Sequence, residues 1–411
     1  MMWLYDFIWG VRTMNKANRW LLPDGIDEVL PPQAMRMESL RRALLDLYYR
    51  WGYDPVMPPP VEFLESLLTG TGSDLDLQTF KLTDRMSGRT MGISADVTPQ
   101  VARMDAHSLR SQGPARLCYC THVLRATPDP YQGGRSPVQV GLELFGCAGV
   151  DADLEIVRLV LASLALAGAH RVHLVFGHVG VYRGLVKSIG LDAELEAAFF
   201  EALERKSLSE VDALLDSAAL SPDTLRMLKA LPRLNGGIEV LEAAAATFRH
   251  APDAVKCAID KLKLMAQALS GAGPQVSLYF DLGELRGYEY HTDVVFAVYV
   301  PEFGHAVARG GRYDAAGSVF GRARPATGCT LELKLLTRLD QQAPPHDGIW
   351  APADSDAELD ATIEALRAAG ERVVRAFPGQ QTGPGDHRCN RTLIHQKGAW
   401  CVVPCTGTVT Q

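Results

Sequence analysis

The chain has little positive charge to spare. Its 411 residues carry 41 Lys and Arg against 48 Asp and Glu, a formal charge of −7. That balance argues against a large nucleic-acid footprint, which needs a clustered basic face. A local basic patch remains compatible with it. A disulfide framework is also missing. The eight cysteines, at 118, 120, 147, 257, 329, 389, 401 and 405, fall mostly inside apolar runs. With no export signal in view, they read as reduced thiols of a cytoplasmic protein. The apolar stretch at residues 1–13 fails as a signal peptide. It has no basic start, Asp6 interrupts it, and no small-x-small site follows. It is also too short to span a bilayer. Met14 is therefore read as the start, and 1–17 as an extension without a structural role. Repeats and long low-complexity tracts are absent. What is present is ordinary for a globular chain, 47% apolar and 22% charged, at a length that suits two or three domains.

Met37, Leu40, Leu44, Leu47, Tyr48 and Trp51 recur at helical spacing, and Gly52 can end that helix. Tyr53–Met57 reads as a short strand stopped by Pro58-Pro59-Pro60. Residues 79–94 read as a hairpin around Ser87-Gly88, 96–112 as a helix, and 117–125 with 138–146 as an antiparallel pair. A strongly apolar helix at 153–167 precedes a strand at 173–176. From about 190 to 271 the chain turns rich in Ala, Leu and Glu, with helix starts at Ser209, Ser221-Pro222 and Pro252-Asp253. Strands return at 276–280 and 294–300, and 331–339 reads as helical. After a Pro-rich linker at 341–347, residues 348–411 alternate strand, helix (358–369) and strand (371–376), then two more strands at 392–395 and 399–403.

Several ordered segments resemble the catalytic core of class II aminoacyl-tRNA synthetases, with histidyl-tRNA synthetase the nearest synthetase. The helix, strand and Pro58 are similar to the first class II motif. Ile93–Arg103 resembles the segment that binds an amino group, and Tyr119–Gly146, with Arg125, Gln139 and Glu143, resembles the second motif. Arg286–Thr292 resembles the histidine-specific loop, followed by Gly310-Gly311-Arg312-Tyr313-Asp314. Asp96-x-Thr98-Pro99-Gln100-Val101-Ala102-Arg103, Gly133-Gly134-x-x-Pro137 and Trp20–Gly25 are closer still to a non-catalytic branch, the regulatory subunits of ATP phosphoribosyltransferase. The resemblance covers roughly 18–340. It implies an α+β fold: a class II synthetase-like antiparallel sheet flanked by helices, interrupted by the helical insertion and followed by a small α/β domain resembling a degenerate anticodon-binding module.

The same resemblance implies a histidine-like pocket. Asp96 and Thr98 would receive the α-ammonium, and Gln139 and Glu143 the imidazole and amino groups. Arg286 would meet the carboxylate, Tyr290, His291 and Tyr313 would line the ring, and Arg125 would point inward. The spacing agrees in part, since Gln139 and Glu143 stand i, i+4 on a strand and share a face. The competing reading is an empty relic pocket held by a Glu143–Arg286 ion pair. The nucleotide side departs from the synthetase pattern. Leu335 stands where an arginine would grip phosphate, Thr127 where an acid would seat adenine, and Glu332 replaces a small residue. On the amino-acid side Ser94 replaces an arginine and His291 a tyrosine.

The histidines at 170, 173 and 178, and the set His387, Cys389, His395, Cys401 and Cys405, match no metal-site spacing. No metal and no cofactor are expected. The 345–411 segment holds six Lys and Arg against eight Asp and Glu, and three aromatics other than histidine. That is a poor surface for an anticodon, so no tRNA partner is expected. The implied partners are the short-form catalytic subunit of ATP phosphoribosyltransferase and a second copy of the core, with L-histidine as candidate ligand and no membrane. A divergent histidyl-tRNA synthetase and a stand-alone histidine sensor are the alternatives.

Overall fold

A computed structural model describes residues 20–69, 73–128, 134–271, 275–285, 287–288, 290–339 and 347–405. The proposed extension at 1–17, Gly133, Arg286 and most of the 341–347 linker lie outside the described residues. The chain divides into two compact units, Met1–Asp340 and Gln341–Gln411.

The first unit is built on a nine-stranded sheet. From one edge its strands are Asp54–Pro55, Ala115–His122, Val138–Phe145, Ala326–Glu332, Ala308–Arg312, Val294–Tyr299, Val172–His178, Val276–Asp281 and Asn235–Gly236. Most neighbours are antiparallel. Two joins are parallel, Asp54–Pro55 with Ala115–His122 and Val172–His178 with Val276–Asp281, so the sheet is mixed rather than antiparallel throughout. Period-two alternation gives it two faces. Val138, Val140, Leu142 and Leu144 point to a helical layer that includes Gln33–Arg50 and Val150–Leu166, in the main core. Each such side chain contributes roughly 1.5–3 kcal/mol by leaving water. Tyr48 and Ser163 share a hydrogen bond of 3.0 Å across those two helices. The first helix stops where expected: Gly52 takes φ +81°, a conformation that suits glycine.

The other face carries a smaller core around Val97, Val101, Leu117, Phe145 and Tyr313. A helix at Thr98–Arg103 passes into a π-helical turn at Met104–Leu109, which Arg110 ends at φ +51°. The single helix read over 96–112 is therefore a composite. The hairpin forms as read, Phe80–Thr83 against Thr90–Ile93, and Val61–Phe63 adds a third strand just after the proline run. The segment read as helical from 331 is a strand through Glu332 and a short helix only at Leu333–Leu336. Thr327–Leu331 is bonded on both sides by neighbouring strands and Glu332 on one, and that pairing overrides local helical spacing. Between the strands at 172–178 and 276–281 lie helices from Val179–Ile189 to Asp253–Leu269. Ser221 caps the one beginning at Pro222 by accepting the Thr224 N–H at 3.2 Å.

The second unit is a four-stranded sheet in the order Val373–Arg375, Gly348–Ala351, Cys389–Gln396, Ala399–Pro404. The first three strands are parallel neighbours and the last is antiparallel. The helix Ala357–Ala368 packs Leu359 and Ile363 onto Ile349, Ala351 and Leu393. No helix among the described residues is long and apolar enough to cross a membrane.

Candidate functional site

A cavity of about 590 Å³ opens over the second face of the large sheet, within the range of small-ligand sites. Among its lining residues is Glu143, which is fully buried. Two glycines make room for it. Gly141 stands opposite Tyr119 in the ladder, and a Cβ there would run into the Tyr119 ring; a Cβ on Gly328, opposite Glu143, would run into the carboxylate itself. Tyr119 can therefore lie flat along the sheet and donate its hydroxyl to Glu143 at 3.1 Å. The same hydroxyl lies 3.3 Å from Thr98 Oγ1 and 3.1 Å from Thr330 Oγ1. Tyr313 donates a second hydroxyl to Glu143. Among the described residues no Lys or Arg pairs with this carboxylate. Burial without a cation disfavours its charged form, and its pKa is pushed up to about 8.

The neighbouring groups are aimed by their own bonds. Gln139 is buried, and its side-chain oxygen accepts the Val97 N–H at 3.1 Å. A backbone donor needs an acceptor, so the bond fixes the amide orientation and leaves the Gln139 NH2 for the cavity. Asp96 accepts the Thr98 N–H at 3.0 Å. Tyr290 stacks on Tyr313 with ring centroids 4.9 Å apart, and its hydroxyl is buried without a partner among the described residues. His291 donates from Nδ1 to the Gly287 carbonyl at 3.1 Å, since a carbonyl can only accept. Removal from water lowers its pKa to about 4, so its ring is neutral. Arg125 also lines the cavity.

Asp96, Thr98, Arg125, Gln139, Glu143, Tyr290, His291 and Tyr313 thus meet around one cavity. Arg286, the ninth candidate, lies outside the described residues. Ser94 does not face the cavity. It is buried and donates to Gln100 at 2.6 Å, and Gln100 and Arg103 both bond Glu62. Sequence reasoning missed the central part of Tyr119. Its signal was a glycine opposite a tyrosine on the face that carries Glu143.

The segment that the resemblance sets at the nucleotide end holds a carboxylate of its own. Glu332 accepts the backbone N–H groups of Val138 at 3.0 Å, Lys334 at 3.1 Å and Leu335 at 3.0 Å. A carboxylate thus occupies donors that an anion could otherwise use. Burial raises the pKa of Glu332 as well. Leu335 is only 7% exposed and belongs to the apolar interior. Described lining acids are Asp96, Glu143, Glu204, Glu284 and Glu332, against the bases Arg125 and Arg309. Such a cavity suits a ligand that brings cationic groups and disfavours a polyphosphate.

Three of the histidines set aside as metal candidates are engaged elsewhere. His178 caps a helix by accepting the Gly180 N–H at 3.1 Å and reaches Asp293 at 3.0 Å. His387 stacks on Trp350, and His395 packs against Trp400.

A profile described as "Histidyl-tRNA synthetase" matches residues 25–336, and one described as "ATP phosphoribosyltransferase subunit HisZ C-terminal domain" matches 346–403. The ATP phosphoribosyltransferase regulatory subunit of Chromohalobacter salexigens is 62% identical over 391 residues, covering 95% of this chain and all (100%) of that one. Its namesake from Alkalilimnicola ehrlichii is 53% identical over 394 residues, covering 95% and 98%. Among solved structures, an ATP phosphoribosyltransferase regulatory subunit/histidyl-tRNA synthetase from Bacillus halodurans superposes with a TM-score of 0.79 at 27% identity, covering 90% of this chain and 96% of that one. A synthetase-like core whose phosphate donors are taken by its own glutamate agrees with these relationships, and the chain belongs to the family of ATP phosphoribosyltransferase regulatory subunits.

Proposed function

We propose that this regulatory subunit senses histidine in the Glu143 cavity and conveys its occupancy to a short-form ATP phosphoribosyltransferase catalytic subunit, at the first step of histidine biosynthesis. It would act in the cytoplasm, as a homodimer formed through the synthetase-like core and joined to catalytic subunits in a larger assembly. The observation that carries the reading is the pairing of an amino-acid side ready for a cationic ligand with a phosphate side filled by Glu332 and Leu335. Glu143, Asp96 and the Gln139 amide supply acceptors and a donor at one end, and the unpartnered Tyr290 hydroxyl supplies another group. A ligand ammonium or imidazolium would ionise Glu143 and give it a cation that none of the described residues supplies. Histidine would then shift the assembly toward a less active state, with a coupling of about 1–3 kcal/mol typical of such linkage.

The test is to mix the chain with the short catalytic subunit and follow ATP phosphoribosyltransferase rate with and without histidine. The rate should rise on mixing and fall on adding histidine, and Glu143→Ala should blunt the fall. No change of rate on mixing sinks the proposal. Histidine-dependent ATP–pyrophosphate exchange by the chain alone would instead favour a divergent synthetase. The acid-lined cavity and Glu332 count against that outcome, and the acidic C-terminal unit counts against a tRNA partner.

A further inference from the structure

Arg309 sits in the middle of the large sheet, opposite Ala297 on one neighbouring strand and Thr330 on the other. Its strand is bonded along both edges, so its side chain can only rise from a face. Ala308 is buried on the helical side. Alternation sends Arg309 to the opposite side, where it lines the cavity floor and is exposed. Three buried or half-buried arginines of this unit are committed: Arg103 to Glu62, Arg116 to Glu155, Arg312 to Asp153. Arg309 has no carboxylate partner among the described residues. A charged fork left unpaired on the floor of an acid-rich cavity is unusual, since five acids line the same space.

We propose that Arg309 binds the carboxylate of the cavity's amino-acid ligand, the part that the resemblance gave to Arg286, and selects for it. The inference rests on the amino-acid reading above and adds a residue to it. The register gives the spacing. Two strands and a two-residue offset separate Arg309 from Glu143, or about 12 Å between Cα atoms at ordinary strand spacings. Between them the lining is small: Gly328 and Thr330 on one strand, Gly310 on the next. A zwitterion with a basic side chain fits that gap, its cationic end at Glu143 and its carboxylate at the guanidinium, which matches a carboxylate in a planar fork. A phosphate-bearing ligand would meet the same arginine but also Glu332 and Glu143, so the acid excess favours the singly charged carboxylate.

The experiment compares histidine with histidinol, which keeps the imidazole and ammonium and lacks the carboxylate, by calorimetry on the full-length protein. Wild type should prefer histidine by about tenfold to a hundredfold, the range of a charge-assisted bond. Arg309→Gln should erase that preference while leaving histidinol affinity within about twofold, and Arg309→Lys should keep part of it. Melting curves confirm that the variants fold, as expected at an exposed position. The inference is overturned if Arg309→Gln keeps the preference or weakens both ligands equally. If wild type binds neither ligand, the histidine-sensing proposal falls and takes this one with it.

Discussion

Two buried acids, Asp153 and Glu143, sit on opposite sides of one sheet, and their surroundings divide structure from function. Asp153 is 1% exposed and has two cations, Arg312 at 2.9 Å and Lys261 at 2.8 Å. Arg312 is equally buried and also donates to the Cys147 and Gly149 carbonyls. Lys261 goes on to Asp293, and Asp293 to His178. Those neighbours hold the Asp293 carboxyl well below its usual range, chiefly against the opposing cost of burial. Every charge in this cluster is answered within the protein. Among the described residues Glu143 has only neutral hydroxyls, those of Tyr119, Tyr313 and Thr98. A buried acid with a full set of cations holds elements together. One left with neutral donors, in a cavity, is poised for a charge from outside.

The comparison breaks most easily at the paired acid. Arg312→Met leaves Asp153 buried with half its compensation, and should cost about 3–5 kcal/mol in urea unfolding. A double variant, Arg312→Met with Asp153→Leu, should recover much of that loss, because no orphaned charge remains. If the double variant is no more stable than the single one, the cluster acts through packing and the contrast with Glu143 dissolves.

Glu143→Gln should behave in the opposite sense. Stability should change little in acid, where the carboxyl is protonated folded or unfolded, and the variant should be the more stable protein at neutral pH, where only the unfolded wild-type chain ionises this group. Histidine affinity should fall by about ten- to a hundredfold, the worth of hydrogen bonds to a charged group. Calorimetry and a thermal melt on the same samples separate the two effects.

Part of this contrast was legible in the sequence. Gln139 and Glu143 share a strand face because the strand period is two, and no tertiary information is needed to see it. Asp153 and Arg312 are 159 residues apart, and nothing local in either segment points to the other. Arg309 was hidden for a related reason. Whether a mid-strand arginine faces a cavity or a helical layer depends on which face its neighbours cover. The helix read from 331 failed because cross-strand pairing of Thr327–Glu332 outweighed local spacing. Arg286 was singled out by resemblance alone.

A pH series sharpens the comparison further. Glu143 has a folded pKa of about 8, above the roughly 4.3 of a free glutamate. The folded state therefore holds more protons than the unfolded state between those values. Its contribution to stability is intact below about pH 4.3 and is lost as pH rises toward 8, at no more than about 1.4 kcal/mol per pH unit. Relative to Glu143→Gln, wild type should lose stability across that window and level off above it. Histidine binding near pH 7 should release a proton from wild type and not from the variant, measurable as a buffer-dependent heat. A flat difference between the two proteins would mean that Glu143 is already ionised and paired.

The smallest expected effect is the one a motif comparison would rank largest. Leu335→Arg restores the arginine of a synthetase, yet it should yield no ATP–pyrophosphate exchange. The Leu335 side chain is 7% exposed, so an arginine there must leave the apolar interior or bury a charge. The Leu335 N–H remains occupied by Glu332, and the carboxylate still repels phosphate from that end of the cavity. Removing it as well, in a Glu332→Gly and Leu335→Arg pair, frees three backbone donors and subtracts a negative charge. Weak ATP binding in the pair but not in either single variant would place the loss of nucleotide chemistry at the carboxylate and the arginine together. Exchange activity in Leu335→Arg alone would show that the phosphate side was never closed, and the division between a filled end and a waiting end would fail.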